Sequence, residues 1–417
     1  MPADRPELAF MKWAEDYSKT TPYKPLGPTK AKDVLESEIL YLNLLRNHVI
    51  VLNSLNSAKE LLEKRGGKYS DRPPFHFFEE QGWVSSFPLS PNKKGIFRKH
   101  RKLFQNGFSP ANCLQYRDVL QKQARETASN LIRSPTDWIS HFERSMIAII
   151  MAVAYGLDTE NSIDDYVELS HKGTRGIDVG GTPGATAVDI FPTIRQLPKW
   201  LNLFPSLKLA RESYFDVRAL HDVPFEAAKK QVSNGTARPS FASKMFEEQR
   251  KQQQQENWNE MILDEKIMDE DINGAAAVLY IAGQHTGNFN HILGFPHSPK
   301  FYRSLVIANV YSMTHDPTVY RNPDTFDPDR YAKRMDGTPG EPLPLCGFGF
   351  GRRECPGQYF GTLNLWIFIA TMLATVEFSK ELDDNGVEVT PRFVVVNGLS
   401  TGPEPFPCRI VARRSTL

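Results

Sequence analysis

The sequence predicts a mainly α-helical fold with a small β subdomain. Apolar residues recur at helical spacing over several long segments, among them 145–157 and 363–374. Two short runs rich in branched and aromatic side chains, 39–45 and 49–52, predict a β-hairpin because a short polar segment separates them. With 417 residues, 40% of them hydrophobic, the chain can bury a large core as one large domain or two smaller ones.

The amino-terminal and middle elements follow in chain order. Residues 8–17 predict the first helix, and Ser54 begins another that ends at Gly66-Gly67. Residues 207–230 predict a long, more polar helix that Pro224 kinks or breaks.

The remaining elements complete the predicted fold. Residues 247–260, with their glutamine run, indicate a solvated connector. Small residues recur from Asp271 to about Phe295, and this segment predicts a helix. Short strands are expected over 304–310, and over 386–390 and 408–411 near the carboxyl end.

The composition excludes several classes of protein. A formal net charge of +1 and the lack of a strong basic run argue against a nucleic-acid partner. The four cysteines, Cys113, Cys346, Cys355 and Cys408, have neither zinc-site spacing nor disulfide-scaffold density, so a reducing compartment is expected. No apolar run is long enough to span a bilayer, and the first residues do not read as a signal peptide.

The most informative stretch is Phe348-Gly349-Phe350-Gly351-Arg352-Arg353-Glu354-Cys355-Pro356-Gly357. Cys355 lies between glycines and beside an arginine, and a predicted helix starting near Gln358 points its positive end back at the sulfur. A chance match at this spacing is expected roughly once in ten thousand chains of this size. The stretch therefore predicts a site that holds a thiolate.

This stretch resembles the heme-binding loop of the cytochrome P450 monooxygenases. The resemblance implies a P450 fold in one domain over 1–417, with its small β subdomain at about 39–52, 304–310 and 386–412. It also implies a heme b cofactor with Cys355 as the iron ligand. Its propionates would be contacted by one arginine of the loop, and its ring by other loop positions. These cofactor-binding positions are Phe348, Gly351, Arg353 and Gly357.

The resemblance extends to two earlier segments. Residues 97–102 form a basic helical segment that in isolation is a solvated face, but the family places an arginine on a heme propionate here, and Arg101 matches it. Five aromatic residues between 75 and 87 indicate loop packing when taken alone. In the family this region borders the substrate, which implies an apolar substrate.

The predicted helix from Asp271 resembles the family's distal helix. Thr286 matches the threonine that assists oxygen activation, whereas His285 occupies the position of the usual acid. A histidine can relay protons because it titrates near neutral pH, or it can approach the iron or simply pack. Taken alone, a threonine in a helix is more often bonded back to its own helix than catalytic.

The family pattern is interrupted near 294–300. Only 69 positions separate Thr286 from Cys355, and no glutamate lies between Glu270 and Glu341, so the family's Glu-x-x-Arg helix is missing. Arg330 matches the arginine that this helix normally binds, and it is expected to be buried without its partners. His297, at the interruption, is a further candidate for a propionate contact.

Two functions from different classes compete. The first is a fungal microsomal-type monooxygenase of secondary metabolism or xenobiotic oxidation, which inserts one oxygen atom and takes electrons from an NADPH-dependent flavoprotein reductase. The second is a truncated, inactive product with impaired heme binding; a helical protein without heme is a weaker third. The resemblance implies the cytosolic face of the endoplasmic reticulum, with membrane contact through 191–205. With no spanning segment, the chain could equally be cytosolic.

Overall fold

The computed structural model describes residues 5–20, 38–44, 47–83, 88–91, 95–180, 186–198, 200–201, 203–255, 258, 261, 265–286, 293–296, 304–391, 395–396 and 402–413. Within these residues the protein is mainly α-helical with short strands, as the sequence predicts. No helix among them is both long and apolar enough to cross a membrane.

The elements are given in chain order. The helices are α1 (Pro6–Thr20), α2 (Leu55–Ala58), α3 (Gly66–Tyr69), α4 (His76–Glu80), α5 (Ile96–Gly107), α6 (Pro110–Cys113), α7 (Arg117–Arg133), α8 (Trp138–Ile150), α9 (Ile163–Thr174), α10 (Ile177–Gly180), α11 (Ala187–Ile190), α12 (Pro205–Glu212), α13 (Tyr214–Ser233), α14 (Phe241–Gln253), α15 (Asp269–Thr286), α16 (Val310–Thr314) and α17 (Gln358–Thr375). The strands are β1 (Ile39–Leu44), β2 (Asn47–Leu52), β3 (Leu293–Pro296), β4 (Ser304–Ala308), β5 (Val376–Leu382), β6 (Glu388–Val389), β7 (Val395–Val396), β8 (Gly402–Pro403) and β9 (Cys408–Ala412).

The chain divides into two compact units. The first comprises Met1–Pro73 and Asn290–Cys355, and the second Pro74–Phe289 and Pro356–Leu417. The first unit is built on a sheet with the strand order β1-β2-β4-β3. The predicted hairpin is formed by β1 and β2, which are antiparallel, while β2 and β4 are parallel.

The sheet of the first unit buries both of its faces. Successive side chains of a strand point to opposite faces, and in β2 Val49 and Val51 pack with Phe10 of α1. Leu52 instead joins a second core that contains Ala58 at the end of α2. Ser54 caps α2 as predicted, because its side chain accepts a hydrogen bond from the Ser57 N–H at 3.1 Å.

The second unit is a helical assembly around α8. This helix packs against α7, α9 and α15, and a π-helical turn continues it over Met151–Tyr155. Ile147 and Ile149 are fully buried, as predicted for a core helix. Gly283 permits the close contact with α15, because a Cβ at Gly283 would lie 2.7 Å from Ile150 Cδ1.

Two predicted helix boundaries around α13 and α14 are wrong. The alternative of a break at Pro224 is wrong, because Pro224 lies buried within α13 and the break falls at Ser213. The Ser213 hydroxyl donates to the Leu209 carbonyl at 2.8 Å and accepts from Gln81 Nε2 at 3.0 Å, so a tertiary contact holds the chain at this point. Residues 247–253 belong to α14 rather than to a connector, because Ser240 and Ser243 form a capping box before its apolar face.

Two predictions for the later elements also need correction. The helix expected to reach Phe295 ends in the described residues at Thr286, and Phe295 lies in β3, where it pairs with β4. The strands near the carboxyl end do not belong to the first unit's sheet. They form a separate sheet with the order β6-β5-β9 in the second unit, because β5 follows α17 directly and pairs with both.

The helix after Cys355, α17, is apolar almost all round in its sequence. In the structure α17 packs against α6 and α7 on one side, while four apolar side chains on the other are exposed, Trp366 to 66%. These are Leu365, Trp366, Ile369 and Leu373. Their spacing places them in one stripe along the helix, which we call the α17 stripe.

One buried histidine gives the second unit a pH dependence. Burial, reinforced by the nearby Arg218 guanidinium, lowers the pKa of His221 to about 3, against an ordinary value of 6.5. The folded protein therefore holds His221 neutral, whereas the unfolded chain protonates it below pH 6.5. As the pH is lowered from 6.5 to 3, protonation of His221 in the unfolded chain is therefore expected to lower the free energy of unfolding by about 1.4 kcal/mol per pH unit.

The substitution His221→Phe keeps a ring against Trp83, whose centroid is 5.0 Å away, and removes the titration. We expect denaturant unfolding at several pH values to show a shallower acid dependence in this variant. The same substitution at the largely exposed His171 is the control. An equal change of slope in both variants would contradict the assignment to His221.

Candidate functional site

The cysteine loop belongs to the first unit and is closed by one hydrogen bond. Two 3-10 turns, Leu345–Phe348 and Gly351–Arg353, lie on either side of Gly349 and Phe350. The backbone N–H of Cys355 donates to the Phe348 carbonyl at 2.7 Å. This bond presents the partly buried Cys355 at the end of a compact turn.

The loop is fastened to the protein by its own apolar residues and by a glycine. Phe350 and Cys346 are buried in the core that also holds Leu62. Gly351 has φ +54°, and a Cβ there would lie 2.3 Å from the Leu62 carbonyl oxygen. Only glycine fits this close backbone approach, which explains why this position of the predicted motif carries it.

An arginine of the loop is held on its other side. Arg353 Nε donates to the Ser70 carbonyl at 2.8 Å, just after α3. Since the guanidinium is planar, this bond restricts the directions of its remaining N–H groups. Gly347, directly before Phe348, has no atom within 4 Å of its would-be Cβ, so the loop leaves open space there.

The other three cysteines have raised pKa values that favour the neutral thiol. Burial raises the pKa of Cys113 to about 11 and also raises the pKa of Cys346. Burial, reinforced by the Glu381 carboxylate, raises the pKa of Cys408. Cys113 and Cys408 are therefore protonated at neutral pH, which makes them poor nucleophiles.

The basic segment of α5, in the second unit, is not the solvated face that its sequence alone suggests. Lys99 Nζ lies 2.9 Å from Asp271 Oδ2, and the fully buried His100 places Nε2 3.3 Å from Asp271 Oδ1. Although desolvation raises the pKa of Asp271, bonds from His100, the Met268 N–H and Lys99 lower it below the usual value. These contacts fix α5, with the partly buried Arg101, against the start of α15.

No local pattern beyond the charges themselves indicates the Asp271 contacts, because His100 and Lys99 lie 171 and 172 positions away from Asp271. The same applies to Gln284, which is buried in α15, accepts from the Ser170 hydroxyl and donates to Glu143 at 3.4 Å. The Asp271 carboxylate and the Gln284 amide thus bind neighbouring helices, and these contacts set the position of α15.

The predicted distal residues lie in the last turn of α15. His285 and Thr286 are its final residues. Gly283 points at Ile150 of α8 and serves helix packing. His297 lies outside the described residues.

The aromatic segment before α5 forms part of the core. Phe75, Phe77, Phe78 and Trp83 are buried in the main hydrophobic cluster of the second unit. Phe87 lies outside the described residues. Side-chain packing, one of the two interpretations above, therefore accounts for the described members of this segment.

The prediction that Arg330 lacks a carboxylate partner is wrong. Its Nη1 donates to Glu341 Oε2 at 2.9 Å, and the two side chains are only 7% and 8% exposed. Glu341, the first glutamate after Glu270, is itself the partner. The sequence alone does not reveal the pairing of Arg330 with Glu341, because it depends on how the chain between them folds back.

The donors present fit a heme. A partly buried thiol, presented beside open space by a glycine-bearing turn, suits an axial iron ligand, and an oriented arginine suits a propionate. Comparison with known proteins decides the family, because the Cytochrome P450 family model matches residues 34–288 and 303–405. The chain is a member of the cytochrome P450 family.

Fungal relatives match almost the whole chain. Tryptamine 4-monooxygenase from Psilocybe cyanescens is 27% identical over 480 positions that cover 100% of this P450 and 90% of the relative. Cytochrome P450 monooxygenase 98 from Postia placenta is 26% identical over 99% and 87%. Cytochrome P450 monooxygenase claR from Ampulloclitocybe clavipes is 27% identical over 93% and 82%.

These comparisons confirm the predicted family, fold and heme-dependent monooxygenase class, and nothing in them favours the inactive alternative. They also bear on the interruption. The family model leaves residues 289–302 unmatched. The alignment with tryptamine 4-monooxygenase has 480 positions against 417 residues, so at least 63 positions of it have no residue of this P450 opposite them.

The glycine contact yields a stability prediction. Gly351→Ala is expected to destabilise the first unit by about 3 kcal/mol, because the methyl group meets a backbone oxygen at a left-handed φ. Thermal or urea unfolding of the heme-free protein measures the loss. Gly347→Ala is the matched control in the same loop, and an equal loss in both variants would contradict the contact with Leu62.

Proposed function

We propose that this P450 inserts one oxygen atom from dioxygen into an apolar organic substrate, with Cys355 as the thiolate ligand of heme b. The observation that carries the proposal is the anchored loop, which presents this one cysteine partly buried at the position that matches the family motif. When bound, the heme supplies the oxygen-activating redox chemistry.

The residues of the chain have separate roles in this proposal. Arg353 and Arg101 hold the propionates, His297 is a further candidate for such a contact, and Phe348 and Gly357 border the ring. Thr286 moves a proton through its hydroxyl group, and His285 is placed beside it in the last turn of α15. The Asp271 contacts support Arg101 by holding α5 against α15.

The electron donor and the location follow from the family in the same proposal. Electrons come from NADPH through a flavoprotein reductase, at the cytosolic face of the endoplasmic reticulum. Exposed apolar side chains between 191 and 205 support contact with a membrane surface, since Phe191 and Leu203 are largely exposed and Trp200 is 79% exposed. The fungal relatives fit a role in secondary metabolism or xenobiotic oxidation.

The ligand assignment is tested by a spectrum. The purified protein, reconstituted with heme, reduced and exposed to carbon monoxide, is expected to show the shifted absorption band of a thiolate-bound heme. Cys355→Ser should remove this band because an alcohol does not replace a thiolate ligand, and Cys408→Ser should retain it. A wild-type protein without the band, or a Cys355→Ser variant that keeps it, would rule out the proposed function.

The role of Thr286 is tested by coupling. Thr286→Ala should lower the product formed per NADPH consumed severalfold while leaving the carbon monoxide spectrum unchanged, because the hydroxyl group moves a proton and does not bind iron. Thr375→Ala is the control, since this hydroxyl only donates to the Thr371 carbonyl of its own helix at 2.7 Å. Unchanged coupling in Thr286→Ala would remove this residue from the mechanism.

A further inference from the structure

The Arg330 guanidinium lies at the centre of a hydrogen-bond network in the first unit. Besides the ion pair with Glu341, its Nη1 donates to the Arg321 carbonyl at 2.9 Å. Its Nη2 donates to the carbonyls of Asn322 at 3.1 Å and Thr325 at 2.7 Å. One side chain therefore binds three backbone carbonyls within residues 321–325, in the segment that precedes the cysteine loop.

Glu341 closes the network from the other end. Its Oε1 accepts from the Arg321 N–H at 3.2 Å, and its own N–H donates to the Arg330 carbonyl at 2.7 Å. Although desolvation raises the pKa of Glu341, the Arg321 N–H and the Arg330 guanidinium lower it below the usual value. The carboxylate is therefore ionised at neutral pH, and the pair is charged on both sides.

The network stands at the entrance of the cysteine loop. Three residues, Pro342 to Pro344, connect Glu341 to the turn Leu345–Phe348, and the two prolines restrict the backbone between them. Tyr320 is buried, and its pKa is raised first by burial and then by the Cys346 thiol, with Tyr331 and Glu341 also contributing. The network is therefore separated from the loop by three residues of restricted backbone.

The loop is consequently fixed at two ends within one unit. Arg353 on the Ser70 carbonyl and Gly351 on Leu62 fix the end nearer Cys355. The pair of Arg330 and Glu341 fixes the end where the loop begins. In the family, by the resemblance stated above, the corresponding arginine is held by the Glu-x-x-Arg helix, which this sequence lacks.

We propose that Glu341 is a positioning residue for Cys355, and that its ion pair with Arg330 replaces the brace that the family takes from a separate helix. The inference rests on the proposed role of Cys355 as heme ligand. Glu341 does not contact the cofactor in this proposal. It acts by holding the start of the loop, so that Cys355 keeps one position before heme arrives.

The experiment compares Glu341→Gln with wild type in two assays. Glutamine keeps an acceptor for the Arg321 N–H but removes the charge that Arg330 needs. In the heme-free protein, the rate of Cys355 alkylation by iodoacetamide, followed by peptide mass spectrometry, should rise about tenfold. In the reconstituted protein, the fraction of heme showing the thiolate-type carbon monoxide band should fall at least threefold.

Further variants distinguish positioning from general instability. Glu341→Asp keeps the charge and should give smaller changes than Glu341→Gln, and it replaces that variant if Glu341→Gln fails to fold. Glu388→Gln, in the largely exposed pair with Lys380, is the matched control and should change nothing. The double variant Arg330→Gln/Glu341→Gln should change Cys355 alkylation and the carbon monoxide band by less than the two single variants together. The reason is that it leaves no charged side chain without its partner.

Two outcomes would overturn the proposal. One is unchanged Cys355 alkylation in both Glu341 variants. The other is an equal rise in alkylation of Cys408, which lies in the second unit and reports general unfolding. If the wild-type protein shows no thiolate band at all, the proposed function fails, whereas the alkylation assay on heme-free protein still tests Glu341 independently.

Discussion

The close approach of the cysteine loop to the backbone at Leu62 is the contact on which the site depends. The Leu62 carbonyl oxygen lies so close to position 351 that a side chain there has no room. Gly351 therefore determines where the turn can lie. Phe350 and Cys346 then bury their side chains in the core beneath β2. The loop is therefore an extension of the first unit's core, and this packing positions Cys355.

The local sequence was sufficient to predict the elements whose signals are local. The hairpin, the Ser54 cap, the core helix α8 and the cysteine motif all depend on residues within a few positions of one another. The elements that could not be predicted depend on distant partners. Ser213 is held by Gln81, β3 exists only through its pairing with β4, and Asp271 binds residues of α5.

The same distinction applies within the site. Motif matching predicts Cys355, Arg353 and Thr286 as site residues, because their spacing is characteristic of the family. The family pattern does not indicate the partner of Arg330, because in that pattern the partner is a glutamate on a helix that this sequence lacks. The structure satisfies the guanidinium with Glu341 and three carbonyls instead. A buried charge needs a counter-charge but does not specify which part of the chain supplies it.

The anchors of the cysteine loop do not depend on the positions that the shortened sequence lacks. At least 63 positions of the alignment with tryptamine 4-monooxygenase have no residue of this chain opposite them, yet the loop's anchors are supplied by residues that remain. The α17 stripe, by contrast, leaves four large apolar side chains about half exposed in the second unit. Burying a large apolar side chain fully contributes about 2 kcal/mol, so these four leave roughly 4 kcal/mol of stabilisation unused. The contacts that hold the loop of Cys355 lie within the first unit.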